Sequence, residues 1–445
     1  MKKFALIVMA MFLFVLNVQA AKHVKSDFLS VIKDSGVDTE SIAVSIKSAE
    51  GGKAVYSLNN KMLMNPASVQ KVITTPAMVE TLGEDYMFST EIYSRGEDSF
   101  LIKLGADPYL TSTDLRKLAN YIKLDTKKVY IDDSVLDNKT WGEGWQWDDD
   151  MNPLMPRFGS YNLDKNLIKL TIMPPEGNAP AVIINPSRYP LVFFNNIKAG
   201  DKTDVQVYRD NAVSANTIML SGTVARPTTV FIPANNLKRY FDVQLTRTLE
   251  NKKVYLKDAF VSDKQTSADK YLDKVTHDMD SAVSDIFKNS NNMVTETLFK
   301  LAGKKYCNLE TGTDASGIKM FNDYCLRNKL DNSRIRITDA SGVSKNNLVS
   351  ADFVTDVLYV NKDNKIMEKL PAPGEGTLTH RMLTIKDNLR AKTGTLSDIS
   401  SIAGYLTSKS GKKYVFCIMI NDMKLSSADK KMLEDFLIRE AYLRL

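Results

Sequence analysis

The chain has 445 residues, 59 Lys and Arg against 53 Asp and Glu, a formal net charge of +6 and 43% hydrophobic residues. So mild a surplus, with no clustered basic run, argues against a nucleic-acid-binding protein, and three cysteines with three histidines lack both a disulfide framework and the HExxH or CxxC spacing of a zinc peptidase. The length exceeds what one hydrophobic core usually holds, so two or three domains are expected.

Lys2 and Lys3 precede an unbroken apolar run from Phe4 to Leu16, and Val18-Gln19-Ala20 offers small residues at a cleavage point. Residues 1–20 therefore read as a secretory signal peptide, because the run is shorter than the roughly 20 residues of a spanning helix. No other stretch is long and apolar enough to cross a bilayer. The expectation is an exported protein of the periplasm or cell envelope, with no integral span after cleavage.

A short helical stretch, Asp27 to Lys33, leads into a β-hairpin: Ile42-Ala43-Val44-Ser45-Ile46 and Ala54-Val55-Tyr56 are apolar runs split by Glu50-Gly51-Gly52. Asn65 and Pro66 then open a helix as cap and first residue, with Pro76 expected to kink or end it. Between about Ser89 and Pro233 short β-type runs dominate, including Leu167–Ile172, Ala181–Ile184, Asp204–Tyr208, Thr217–Leu220 and Thr228–Ile232. Helical patterns return at Asn236–Leu249 and Ala282–Ala302. Arg390–Thr395, Ile402–Leu406 and Tyr414–Ile420 read as adjacent strands, and Asp429–Leu443 as a closing amphipathic helix. Helix and strand signals at both ends of a β-rich middle point to an α/β domain interrupted by insertions.

Three short motifs carry chemistry. In Ser68-Val69-Gln70-Lys71 the serine and lysine share one helix face, so the amine reaches the hydroxyl, and the first helical turn favours developing negative charge. The same S-x-x-K spacing begins at Ser30, Ser267, Ser316, Ser410 and Ser427, so spacing alone does not select Ser68. Ser290-Asn291-Asn292 places a hydroxyl and an amide two residues apart, either as a proton relay and carbonyl anchor in a loop or as a helix cap. Lys392-Thr393-Gly394-Thr395 on a strand puts a second lysine where it would lower the pKa of Lys71. Gly394 would let a substrate backbone approach, and the amides of Thr395 and Ser68 would form an oxyanion hole.

The order and spacing of Ser68-x-x-Lys71, Ser290-x-Asn292 and Lys392-Thr393-Gly394 resemble those of the penicillin-recognising serine enzymes. The long gap from Lys71 to Ser290 is similar to that of the D-Ala-D-Ala carboxypeptidase/endopeptidase family of low-molecular-mass penicillin-binding proteins (peptidase family S13, the type 4 group). Gly144-Trp145-Gln146-Trp147-Asp148-Asp149, Asp339-Ala340-Ser341-Gly342-Val343-Ser344, Gly374-Glu375-Gly376-Thr377-Leu378 and Arg390-Ala391-Lys392-Thr393-Gly394-Thr395-Leu396 resemble further segments of that family.

The resemblance implies a transpeptidase/β-lactamase-like α/β domain of residues 21–88 and 231–445. Nested β-rich insertions would fill the gap: 89–166 with 227–230, and 167–226. It implies catalytic roles for Ser68, Lys71, Ser290, Asn292 and Lys392, and substrate contacts at Thr393, Gly394 and Thr395. Asp149 would hold the ammonium of a diaminopimelate side chain and Lys345, in place of an arginine, its carboxylate; no metal or cofactor is implied. The partners would be peptidoglycan peptides and β-lactams, with carboxypeptidase and endopeptidase action both open. A β-lactamase-like hydrolase or esterase and a catalytically silent wall-binding protein are the rival readings. Trp141, Trp145 and Trp147 read equally as a lip over a cleft or as a small core. Cys307 and Cys325 could pair, and Cys417 reads as a buried thiol.

Overall fold

The computed structural model describes residues 28–177, 179–211, 214–256 and 260–445; the expected signal peptide lies outside them. The chain divides into two compact units, one made of the segments to Met78, Val283–Ser290 and Phe321–Leu445, the other of Val79–Ala282 and Asn291–Met320.

The first unit is built on a five-stranded antiparallel sheet. Its strands are β1 (Ile42–Ser48), β2 (Ala54–Leu58), β3 (Leu389–Leu396), β4 (Ile399–Thr407) and β5 (Lys413–Asn421), in the spatial order β3-β4-β5-β1-β2. The hairpin and the three C-terminal strands were all legible from their apolar runs. In β5 every residue from Tyr414 to Ile420 is buried, so the strand is covered on both faces. Phe416, Ile418 and Ile420 pack with Leu433, Leu437 and Ile438 of the closing helix, Ser427–Arg444. On the other face Ser45 of β1 meets Thr355 of the helix Ala351–Val360, hydroxyl to hydroxyl at 2.9 Å. Cys417 is buried within β5 and burial pushes its thiol pKa up. The first motif strand, β3, is an edge of this sheet.

The nucleophile-bearing helix departs from expectation at both ends. Ala67–Val69 forms a 3-10 turn before the α-helix α1 (Gln70–Leu82), with Pro66 as N-cap. Pro76 does not end the helix; it lies inside it. Lys71 to Val79 are all buried, and this tertiary packing holds the helix across the hydrogen bond that proline removes.

The second unit carries three sheets. Five strands pair in the order Val261–Ser262, Lys128–Asp132, Ser99–Leu104, Met87–Ser94 and Lys270–Asp278, and two three-stranded sheets come from residues 167–233. Segments after residue 231 that the sequence reading placed with the catalytic part thus pair with strands near residues 90 and 130. Such pairings join residues about 130 to 190 positions apart and leave no local signal. A helix in this unit, Ser112–Ala119, was also missed, although Thr111 and Asp114 form a capping box of recognisable spacing. The single helix expected over Ala282–Ala302 is two, Met279–Lys288 and Asn292–Cys307. The break falls where Ser290 takes a left-handed φ of 58° and Asn291 caps the second helix, its Oδ1 accepting from the Val294 N–H at 3.1 Å.

Of the tryptophans, Trp145 is buried against Trp141 and Phe158, with ring centroids at 5.0 and 5.7 Å, whereas Trp147 is 80% exposed. The core reading therefore holds for Trp145 alone. All three cysteines are free thiols, so Cys307 and Cys325 do not pair.

Candidate active site

Ser68 stands in the 3-10 turn ahead of α1, half-buried, and Lys71 follows in the first turn of the helix, fully buried. The Lys71 Nζ donates to Ser68 Oγ at 3.0 Å and to the Ser341 carbonyl at 2.6 Å. The turn is held in an unusual shape: Ala67 has a φ of 45°, its N–H donates to Asn65 Oδ1 at 2.9 Å, and Ser401 Oγ donates to the Pro66 carbonyl at 2.5 Å. Strain of this kind persists only where surrounding contacts over-determine it. Gln70, just before the lysine, is fully buried, and its amide has no hydrogen-bond partner among the described residues.

The carbonyl that orients Lys71 comes from a loop whose geometry is set by Asp339. The Asp339 carboxylate accepts from the Gly342 N–H at 2.8 Å, the Ser344 N–H at 2.7 Å and Asn347 Nδ2 at 2.7 Å. Gly342 has φ +83°, and a Cβ there would lie 1.9 Å from the Ala67 carbonyl oxygen. The loop thus packs directly on the back of the nucleophile turn, and Asn65 Nδ2 ties the two by donating to the Ser344 carbonyl at 3.0 Å. Sequence reading marked this segment without giving it a role, because a backbone carbonyl has no residue signature.

Strand β3 supplies the second amine. Lys392 is fully buried, its Nζ donating to Ser290 Oγ at 3.0 Å and to the Thr393 carbonyl at 2.7 Å. Burial, with the positive charge of Lys71, holds the Lys392 ammonium well below the usual lysine range. Ser290 is placed by the turn ahead of β3: Lys288 pairs with Glu375 at 3.2 Å, and a Cβ on Gly376 would lie 2.4 Å from the Lys288 carbonyl oxygen. Thr393 Oγ1 donates to Thr377 Oγ1 at 2.7 Å, a partner the sequence reading did not single out. Thr395 is exposed at the sheet edge.

Gly394 has a packing role that the sequence did not signal. A Cβ there would meet Ser401 Oγ at 2.4 Å and the Ser68 nitrogen at 2.8 Å. The missing side chain makes room for the turn that carries Ser68.

Asn292 belongs to the second unit, buried, and its Nδ2 donates to the Leu154 carbonyl at 2.9 Å. Asp149 is half-buried in the 3-10 turn Trp147–Met151 of that unit. Lys345, in the first unit, is 4.0 Å from the carboxylate of Asp398, with both side chains nearly half exposed.

A serine at the head of a helix, a buried lysine one turn on, and a second Ser–Lys pair completed from the edge strand of an antiparallel sheet form the candidate site, in the arrangement expected of a penicillin-recognising serine acyl-transferase. The model of the D-Ala-D-Ala carboxypeptidase 3 (S13) family matches residues 24–440, and the chain belongs to that family. The D-alanyl-D-alanine carboxypeptidase DacB of Haemophilus influenzae is 24% identical over 422 residues, 86% of either chain. The crystal structure of penicillin-binding protein 4 from the same organism shares the fold with a TM-score of 0.81 at 22% identity, covering 94% of this chain and 99% of that one. Its complex with a β-lactam gives 0.74 at 21% identity, over 90% and 96%. The α/β multidomain expectation, with a penicillin-binding-protein fold, therefore holds.

Proposed function

We propose that the protein is an exported serine peptidase that cuts D-alanyl-D-alanine-type bonds in peptidoglycan through an acyl-enzyme on Ser68. The observation that carries this is the amine of a fully buried lysine 3.0 Å from Ser68 Oγ. In this reading neutral Lys71, oriented by the Ser341 carbonyl, takes the Ser68 proton as Oγ attacks the carbonyl of the penultimate D-alanine. The amides of Ser68 and Thr395 receive the oxyanion. The C–N bond then breaks, and the leaving amine takes the proton held by Lys71, relayed through Ser290 beside Lys392, which leaves Lys71 neutral again. Water attacks the ester, Lys71 accepts its proton, and Ser68 Oγ leaves protonated. Lys392 and Thr393 would hold the terminal carboxylate. The burial of both lysines supports a neutral amine in the site, since two ammonium groups sharing one desolvated place repel each other.

Roles for Asn292 with a substrate carbonyl, and for Asp149 and Lys345 with the two charges of a diaminopimelate end, rest on the resemblance alone. The exposed Lys345–Asp398 pair is worth about 0–1 kcal/mol, so a substrate carboxylate displaces it at little cost.

Intact-protein mass after incubation with benzylpenicillin tests the reading. The expected result is a gain of one penicillin that is lost in Ser68→Ala. No adduct on a folded sample, or an adduct that survives in Ser68→Ala, would overturn it, and rapid loss of the adduct would move a β-lactamase-like hydrolase to the front. Purified pentapeptide and cross-linked muropeptides then separate carboxypeptidase from endopeptidase action.

A further inference from the structure

The second unit contains a cavity of about 330 Å³ that none of the peptidase chemistry uses. It lies where the strands Leu167–Met173 and Thr228–Pro233 meet the helices Ser112–Ala119 and Leu237–Asn251. Its volume is at the lower end of the range for small-molecule sites, about 300–1,000 Å³.

Its charge is one-sided. Arg116, Lys169 and Arg247 line it, against a single carboxylate, Asp164. Arg116 donates to the Thr113 hydroxyl at 2.7 Å and Arg247 to the Pro186 carbonyl, and among the described residues no acid lies within ion-pair distance of these or of Lys169. The Asp164 carboxylate is already occupied: it accepts from the Ser112 N–H at 2.8 Å, from the Ser112 hydroxyl and from Tyr240 Oη at 3.2 Å. An unusual backbone fixes it there, because Asp164, Lys165 and Asn166 are consecutive left-handed residues with φ of 50°, 59° and 58°. Fully buried Asn166 locks that turn, donating to the Arg157 carbonyl at 2.7 Å and Asn162 Oδ1 at 2.8 Å. The carboxylate is thereby turned to local donors, and the three cations remain for a ligand.

The wall is not only charged. Phe231 is 46% exposed and is the cross-strand partner of Lys169, so an aromatic face and an ammonium stand side by side. Gln244, Thr248 and Asn251 follow along one side of the second helix and add amide and hydroxyl groups. A ring face for stacking, hydrogen-bonding groups beside it and surplus positive charge match a sugar ring that carries an acidic substituent.

We infer that this cavity binds an acidic amino sugar, with Phe231 under the ring and Lys169, Arg116 and Arg247 around its carboxylate or phosphate. The site extends the proposed peptidase function and does not depend on it. A carboxylate-bearing sugar and a phosphorylated sugar share the chemistry, so both are probed.

Titration calorimetry on the full chain uses N-acetylmuramic acid, N-acetylglucosamine 1-phosphate, neutral N-acetylglucosamine and inorganic phosphate. One of the two acidic sugars is expected to bind at least about tenfold more tightly than the neutral sugar and than phosphate alone, and Lys169→Gln or Phe231→Ala to weaken it by about fivefold or more. The stronger acidic sugar identifies the substituent. Both side chains are exposed, so the variants should keep the parent melting temperature and the parent rate of penicillin acylation. Equal binding of neutral sugar, equal binding of phosphate, no binding of either acid sugar, or unchanged binding in both variants would overturn the assignment.

Discussion

Gly394 shows how one absent side chain can govern the chemistry of another residue. Its neighbours are the Ser68 nitrogen and Ser401 Oγ, and Ser401 is the residue that holds the Pro66 carbonyl. In Gly394→Ala the added methyl must push the nucleophile turn away from β3. A displacement approaching 1 Å at a reacting group costs about a hundredfold in rate, and overpacking costs about 1–3 kcal/mol of stability. Both are measurable, the first as the rate of penicillin adduct formation and the second by urea unfolding. Unchanged acylation would mean that the turn relaxes freely and that Gly394 does not position Ser68. The thiols offer a separate check on residue environments. Burial pushes the Cys325 thiol up to about 12 and raises Cys417 further, while Cys307 is half-buried. A thiol reagent at pH 8 is expected to label the folded protein once, at Cys307, and three times after denaturation. Rapid labelling that persists in Cys307→Ser would contradict the burial of the other two.

At the scale of elements, the site depends on an irregular loop clasped to a helix start. In the loop 339–347 the Ser341 carbonyl accepts from Lys71 Nζ at 2.6 Å, and the Asp339 carboxylate organises the loop with three strong hydrogen bonds of 2.7–2.8 Å. Hydrogen bonds to a charged acceptor contribute more than neutral ones, so Asp339→Ala is expected to cost about 2–4 kcal/mol and to slow acylation as Lys71 loses its anchor. Thermal unfolding and adduct kinetics check the two effects. A variant that loses stability but acylates at the parent rate would show that Lys71 is placed by α1 alone. Why the loop escaped a functional reading is physical: Ser341 meets Lys71 through a backbone carbonyl and the Asp339 carboxylate accepts from backbone amides, and sequence spacing does not report which backbone group points where.

For the molecule as a whole, the buried lysine makes stability depend on pH. The folded pKa of Lys392 is depressed below the unfolded value of about 10.4, so between the two the unfolded chain binds more protons. Unfolding free energy therefore rises with pH through that window, by at most about 1.4 kcal/mol per unit, and is lost as pH falls through the folded pKa. In Lys392→Met this contribution disappears, so the urea midpoint of the parent should rise relative to that of the variant as pH rises from 7 to 9. A constant difference would mean that Lys392 stays charged in the folded protein. The same lysine thus links the proton inventory of the site to the stability of the sheet edge that carries it.

The sequence by itself determined the three motifs, the hairpin, the C-terminal strands and the closing helix, because apolar periodicity and short-range spacing are local properties of the chain. It also determined the family, through motif order along most of the length. Only the tertiary structure decided that Pro76 stays within a helix, that the run through Ser290 breaks in two, and that strands near residues 262 and 275 pair with strands near 130 and 90. It alone decided that Gly394 makes room for Ser68 and that a backbone carbonyl orients Lys71. Each of these turns on which residues meet across long separations, where packing and desolvation outweigh the local preferences that sequence records.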